Sequence, residues 1–216
     1  MNVIELFSSI DGEGKRQGFL TTFLRLHDCN IRCSYCDTLY SYGPESTFES
    51  MSVQAVADVI EQLENHRITV TGGEPLLQES AIIELIDELT RRNPGYDFNI
   101  ETNGTIIPSF HRDNVWFTYD YKTPSSLAEE AMNLDIFKVA TPADIIKFVV
   151  GSMQDLDRMN EILKTYPTDA QIFVSPVWGN IEGATIVDYM KAHNWQNVRF
   201  QLQIHKFIWD PDAKGV

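Results

Sequence analysis

The chain has 216 residues, 43% of them hydrophobic, with 17 basic against 31 acidic side chains and a net charge of −14. That length suits a single domain over 1–216, in which about 70% of the unfolded surface is buried without disulfide staples. The acidic field repels phosphate backbones and anionic bilayers, so neither nucleic acid nor a membrane is an expected partner. No apolar run approaches the roughly 18 residues of a membrane helix, and the N-terminus MNVIELFSSIDGEG has no basic leader region, so a soluble, cytoplasmic protein is expected.

Near the N-terminus, Gly12-Glu13-Gly14 with Gly18 has the spacing G-x-G-x3-G, but an apolar strand follows rather than a helix. A dinucleotide loop fails on that context. These glycines instead let a loop approach a small ligand, with Asp11 and Glu13 as acceptors. The first predicted strand is Phe19–Leu26, and β-rich runs recur at Ile68–Thr71, Phe98–Ile100, Val115–Tyr119, Ile145–Val150, Ile172–Val174 and Val198–Ile204. Between them lie helical patterns. Val53, Val56, Val59, Ile60 and Leu63 follow an N-cap at Ser52. Ile82, Leu85, Ile86 and Leu89 stop at Asn93-Pro94-Gly95. Leu156, Met159, Ile162 and Leu163 follow Ser152 and Asp155, which resemble a capping box. Such alternation predicts an α/β fold with a parallel sheet and its loops gathered at the strands' C-terminal edge. A closed eightfold barrel needs about 250 residues, so an incomplete barrel of about six parallel strands fits better.

The three cysteines, Cys29, Cys33 and Cys36, fall within eight positions of the loop CNIRCSYC, directly after the first predicted strand. An odd, clustered set argues for a metal centre or a reactive thiol rather than disulfides. Three thiolates at C-x3-C-x2-C can hold a four-iron cube and leave one iron open, since no fourth cysteine exists. The alternative is tetrahedral zinc completed by His27. Further on, Thr71-Gly72-Gly73-Glu74-Pro75 follows a strand. It reads either as a plain strand-to-helix turn or as a turn whose backbone and Glu74 accept hydrogen bonds from an ammonium group. Asp37-Thr38 reads as a helix cap or, through the Thr38 hydroxyl, as a Mg²⁺ ligand. Arg25 alternates with Leu24 and Leu26 near the strand end and is either exposed or an inward cation that needs an anionic partner. His205 ends the last run, where a barrel fold places ligand-facing side chains.

The cysteine spacing together with the GGEP turn resembles the radical S-adenosylmethionine superfamily. In those enzymes the turn holds the methionine amino group. Several segments narrow the likeness: ELFSSIDGEGKRQG, FLRLHDCNIRCSYCDTLY, VTGGEPLLQ, ETNGT, DYKTPSS and the closing QLQIHKFIWDPDAKGV. Together they resemble the 7-carboxy-7-deazaguanine synthase family from residue 5 to the C-terminus, with Asp11 standing where that family usually has Gln. The resemblance implies a modified, incomplete barrel of the radical S-adenosylmethionine type, usually a homodimer. The implied lyase activity converts 6-carboxy-5,6,7,8-tetrahydropterin to 7-carboxy-7-deazaguanine with release of ammonia, in queuosine and 7-deazapurine biosynthesis.

By residue, the resemblance implies a 4Fe-4S cluster on Cys29, Cys33 and Cys36. Tyr35, Cys36, Asp37, Gly73, Glu74, Asp120, Tyr121 and Lys122 would surround S-adenosylmethionine. Ile10, Asp11, Gly12, Glu13, Arg25, Thr71 and His205 would contact the pterin, and Thr38 would hold Mg²⁺. A flavodoxin or ferredoxin would supply electrons. Two rival readings remain: an activating enzyme that installs a glycyl radical on a partner protein, and a non-enzymatic zinc or iron–sulfur binding protein. The G-E-G start and the HK-x-x-W end are not signatures of the first.

Overall fold

Strand faces decide this architecture. A computed structural model describes residues 1–216. In chain order the elements are β1 (Asn2–Ile10), β2 (Leu20–Leu26), β3 (Glu49–Ser50), α1 (Val53–Gln62), β4 (Arg67–Gly72), α2 (Glu79–Arg92), β5 (Asp97–Thr102) and β6 (Val115–Lys122). They continue with α3 (Ile136–Val139), β7 (Ile145–Val150), α4 (Met153–Thr165), β8 (Gln171–Pro176), α5 (Gly183–Ala192), β9 (Val198–Phe200) and α6 (His205–Ile208). Caps fix the helix starts: Ser52 accepts from the Ala55 amide at 3.1 Å and Ser152 from Asp155 at 3.3 Å. Past α2, the Asn93 side chain accepts from the Gly95 amide at 2.8 Å, an Asx turn that ends the helix.

One nine-stranded sheet runs in the order β3-β1-β2-β4-β5-β6-β7-β8-β9. Every pairing from β2 to β9 is parallel, whereas β1 is antiparallel to both β2 and β3. β3 and β9 are the two free edges, so the barrel is open. The expected open barrel of about six parallel strands is borne out: seven strands run parallel, with an antiparallel pair added outside β2. Sequence periodicity missed α5, whose buried residues are only Ile186 and Tyr189. The last run stops at Phe200 instead of Ile204, because Ile204 turns back to donate its amide to the Gly12 carbonyl.

Alternation along the parallel strands separates two environments. Leu24 and Leu26, Ile68 and Val70, Phe98 and Ile100, and Ile146, Phe148 and Val150 belong to the buried core under the helices. Their neighbours point the other way: Arg25 on β2, Thr71 on β4, Glu101 on β5, Asp120 and Lys122 on β6, and Lys147 on β7 all line one cavity. Parallel strands packed on both faces normally read as continuous apolar runs. Here the concave face is polar. The fold builds a solvent-like interior for a hydrophilic ligand.

Candidate active site

The cysteine loop leaves β2 through Asp28, which has φ 79° and whose side chain accepts from the Cys29 amide at 2.7 Å. Two neighbours clamp it. The Glu74 amide donates to the Asp28 carbonyl at 2.7 Å, and Ser34 donates its amide to the Ser126 carbonyl at 2.9 Å. The first contact needs glycine beside it: a Cβ on Gly73 would lie 1.9 Å from the Asp28 oxygen. Cys29, Cys33 and Cys36 all line the cavity. Burial raises the Cys29 thiol and lifts Cys33 to about 11, with the Lys122 ammonium pulling Cys33 back. Asn103 donates its side-chain amide towards Cys29 Sγ at 3.7 Å, and Thr38 Oγ1 lies 3.6 Å from Cys36 Sγ.

These thiols fit a cluster better than zinc. His27 packs on the Phe48 ring at 4.4 Å between centroids and is outside the cavity lining, so it does not complete a Cys3His set. No three His, Cys, Asp or Glu side chains converge closely enough to enclose one ion, whereas a four-iron cube is gripped at separate corners. A second observation concerns what would sit beside it. Asp120 Oδ1 is buried without a hydrogen-bond partner and lines the same cavity, the state expected of an acceptor that awaits a ligand donor.

Around the same cavity, charges from several strands and from α6 interlock. Lys147 Nζ lies 3.0 Å from Glu13 Oε2 and 3.5 Å from Asp120 Oδ2, and Lys122 Nζ lies 3.0 Å from Asp120 Oδ2. Burial opposes the Lys147 charge, but Glu13, Asp120 and Glu101 outweigh it and hold its pKa well above the ordinary value. Lys122 is raised likewise, with Asp120 the main stabiliser against burial. Arg25 Nε bonds Glu5 Oε2 at 2.9 Å, and Tyr40 donates to the same oxygen at 2.9 Å. Its anionic partner within the chain is therefore Glu5. Asp37 is lowered because Lys206 and Arg25 overcome its burial, and Lys206 Nζ lies 3.4 Å from Asp37 Oδ2. His205 opens α6 rather than ending a strand. Its ring packs where a Gly12 Cβ would be 1.9 Å from Nδ1, and burial lowers its pKa.

Of the residues singled out in the sequence, the cavity gathers Ile10, Asp11, Gly12, Glu13, Arg25, Tyr35, Asp37, Thr38, Thr71, Gly73, Asp120, Lys122 and His205 around the three cysteines. Two are not brought there. The Glu74 carboxylate is fully buried and already occupied: Oε1 accepts from Leu76 N and Thr102 Oγ1, and Oε2 from Asn103 N. It braces the turn and lies outside the cavity lining. The Tyr121 ring lies in the core, its hydroxyl donating to Glu129 at 2.9 Å, so only its backbone is near the site. Sequence reasoning missed Glu5, Tyr40, Glu101, Asn103 and Lys147. The signal for Glu101 and Lys147 was a charge in the alternating position of an otherwise apolar parallel strand.

Comparison with known proteins agrees with this geometry. The radical SAM superfamily profile matches residues 25–147, so the chain is a radical S-adenosylmethionine protein, a class that implies a 4Fe-4S cluster and S-adenosylmethionine. A 7-carboxy-7-deazaguanine synthase of Clostridium acetobutylicum is 38% identical over 99% of this chain and 98% of its own length. Relatives of the same name from Methanospirillum hungatei (37%, covering 98% of this chain and 86% of theirs) and Leptospira interrogans (35%, 100% and 98%) are similar throughout. The chain belongs to the 7-carboxy-7-deazaguanine synthase family. The crystal structure of QueE from Escherichia coli superposes with a TM-score of 0.70 over 93% of this chain and 92% of that one, at 24% identity, and shows the same fold. No helix is long and apolar enough to cross a membrane.

Proposed function

We propose that this chain is a radical S-adenosylmethionine lyase that converts 6-carboxy-5,6,7,8-tetrahydropterin to 7-carboxy-7-deazaguanine with release of ammonia. The observation that carries this reading is the meeting, in one cavity, of the three-thiol loop with a ring of charged and hydroxyl side chains suited to a polar heterocycle. Cys29, Cys33 and Cys36 would hold the 4Fe-4S cluster, which with S-adenosylmethionine supplies the one-electron chemistry that removes hydrogen from a substrate carbon. The protein's part is binding, orientation and charge. Tyr35, Asp37, Gly73, the Asp120 side chain, the Tyr121 backbone and Lys122 surround the S-adenosylmethionine position, with Asp120 Oδ1 accepting from a ligand hydroxyl or amine. Arg25 spends only Nε on Glu5, which leaves its terminal nitrogens to offer a charged fork to the substrate carboxylate. Ile10 to Gly12, Glu13, Thr71 and neutral His205 position the rings. Thr38 offers its hydroxyl to Mg²⁺, a hard ion that shares its shell with carboxylates and water.

Anaerobic reconstitution followed by incubation with the tetrahydropterin, S-adenosylmethionine and a reductant tests the reading. Equimolar 7-carboxy-7-deazaguanine and ammonia are expected; cleavage of S-adenosylmethionine with no pterin product refutes the substrate. Turnover is expected to fall in EDTA and to respond less to Mg²⁺ in Thr38→Ala; identical rates with and without the metal refute that role. A flavodoxin or ferredoxin as electron source and a homodimeric state belong to the same proposal. Reduction by the purified carriers and sedimentation of the holoprotein check them.

A further inference from the structure

The turn after β5 carries a buried amide that neither the pterin nor S-adenosylmethionine accounts for. Asn103 is 6% exposed, and its backbone amide donates to Glu74 Oε2 at 2.7 Å, the carboxylate that braces the β4 turn. Its side chain belongs to a closed ring of hydrogen bonds. Asn30 Nδ2 donates to Thr105 Oγ1 at 2.8 Å, that hydroxyl donates to Asn103 Oδ1 at 2.7 Å, and Asn103 Nδ2 returns a bond to Asn30 Oδ1 at 2.8 Å. The Thr105 backbone amide adds a second donor to Asn103 Oδ1 at 3.0 Å. A backbone N–H can only donate, so Oδ1 must face Thr105 and Nδ2 must face the cysteine loop.

An amide nitrogen carries two hydrogens. One serves Asn30, and the other is directed at Cys29 Sγ, 3.7 Å from Nδ2. All four bonding positions of the Asn103 amide are therefore used, and the one that leaves the ring ends on a sulfur. That bond lies where charge changes. A four-iron cluster takes up one electron from its reductant, and the added negative charge is shared by its sulfurs. In a chain of net charge −14 the surrounding field disfavours that gain. A donor to the sulfur opposes the cost, because a hydrogen bond strengthens as its acceptor becomes more negative. Partners behind the ligands of a metal centre commonly act in this way.

We propose that Asn103 acts on the cluster through Cys29: by donating its second amide hydrogen to Sγ it stabilises the one-electron-reduced state and raises the potential at which an electron carrier can load it. The ring with Asn30 and Thr105 holds the amide in the orientation this requires. The inference rests on the reading of Cys29 as a cluster ligand.

Redox titration of the anaerobically reconstituted protein, followed by electron paramagnetic resonance of the reduced cluster, tests the assignment. Asn103→Ala should move the midpoint to a more negative potential. At the wild-type midpoint its reduced-to-oxidised ratio should fall on the order of tenfold, about 59 mV for one electron. Asn30→Ala opens the ring but leaves Asn103 oriented by the Thr105 amide, so its midpoint should stay near wild type. Equal shifts in the two variants would mean that the loop tether sets the potential, and would overturn the proposal. An unchanged or more positive midpoint in Asn103→Ala overturns it too. Where Asn103→Ala fails to hold four irons, protein with the native Asn103 decides. Asparagine isotopically labelled at the side-chain nitrogen alone should show a hyperfine coupling to the reduced cluster in pulsed resonance, and the coupling should persist in Asn30→Ala. Its absence from both overturns the proposal, and its loss in Asn30→Ala assigns the contact to Asn30 and overturns it as well. Wild-type protein that takes up no four-iron cluster refutes the cluster reading itself, and the inference falls with it.

Discussion

Glu74 shows how far a side chain's role depends on which of its atoms are already used. Both oxygens accept from donors in three separate residues, at 2.7 to 2.9 Å. Burial pushes its pKa up while those donors pull it down. An amide cannot replace it, since Nε2 would face a donor where an oxygen now accepts. Glu74→Gln should therefore destabilise the fold by about 1–3 kcal/mol, the cost of a buried group left unpaired. A denaturant midpoint that does not move contradicts this. Arg25 is the opposite case, with one nitrogen used and the rest of its fork free. Arg25→Ala should lower kcat/KM by about ten- to a hundredfold, the worth of a hydrogen bond to a charged group, while visible cluster absorbance stays at the wild-type level. Lys should rescue little, because a single ammonium cannot both satisfy Glu5 and grip a carboxylate. Loss of iron from Arg25→Ala would instead make the residue structural.

At the level of elements, the site depends on two loops passing in contact. The β4 turn slides under the cysteine loop so closely that Gly73 has no room for a methyl group. Gly73→Ala should push the loops apart, so reconstituted protein should bind fewer than four irons while its far-ultraviolet circular dichroism stays near wild type; full iron loading would show that the loop yields. The sequence displayed this pair plainly, because C-x3-C-x2-C and T-G-G-E-P are each contiguous and rich in residues of narrow use. Capped helices were equally legible at Ser52 and Ser152. β1 was not, since its inward Glu5 interrupts the apolar pattern and its antiparallel partner follows by a hairpin-like return rather than a helix. In Val198–Ile204 the alternation V-R-F-Q-L-Q-I continues past the point where the chain leaves the sheet. Gln201 there turns to accept from the Gly14 amide at 2.8 Å, a long-range contact with no local signal. The network of Glu13, Asp120 and Lys147 was hidden for the same reason. It exists only once β6 and β7 are in register, with Asp120 opposite Lys147.

For the molecule as a whole, a polar concave face costs stability that depends on pH. Burial raises Asp11 to about 7, with Glu101 adding to the effect, and burial also raises Glu101 and Glu74. An unfolded carboxyl titrates near pH 4, so over the interval between the two values the folded chain holds protons that the unfolded chain has released. Stability must then fall as pH rises, until Asp11 has ionised in the folded state as well. His205 works in the other direction. Its lowered pKa means that the unfolded chain takes up the proton first, so its contribution grows as pH rises, but only up to about 6.5, where the unfolded imidazole is already losing its charge. Asp37, whose pKa is lowered, changes nothing until far more acidic solution, and Lys122 and Lys147, both raised, keep their charge through this range. Between pH 6.5 and 8 the net direction is thus set by Asp11 and its carboxylate neighbours. Urea unfolding of the metal-free protein should give a free energy lower at pH 8 than at pH 6.5 by on the order of 1 kcal/mol from Asp11 alone. Asp11→Asn should flatten most of that difference while leaving the m-value unchanged. A wild-type stability that rises over the same interval would mean that the cavity stabilises its carboxylates in ionised form, and that the polar face is balanced by charge pairs rather than by retained protons.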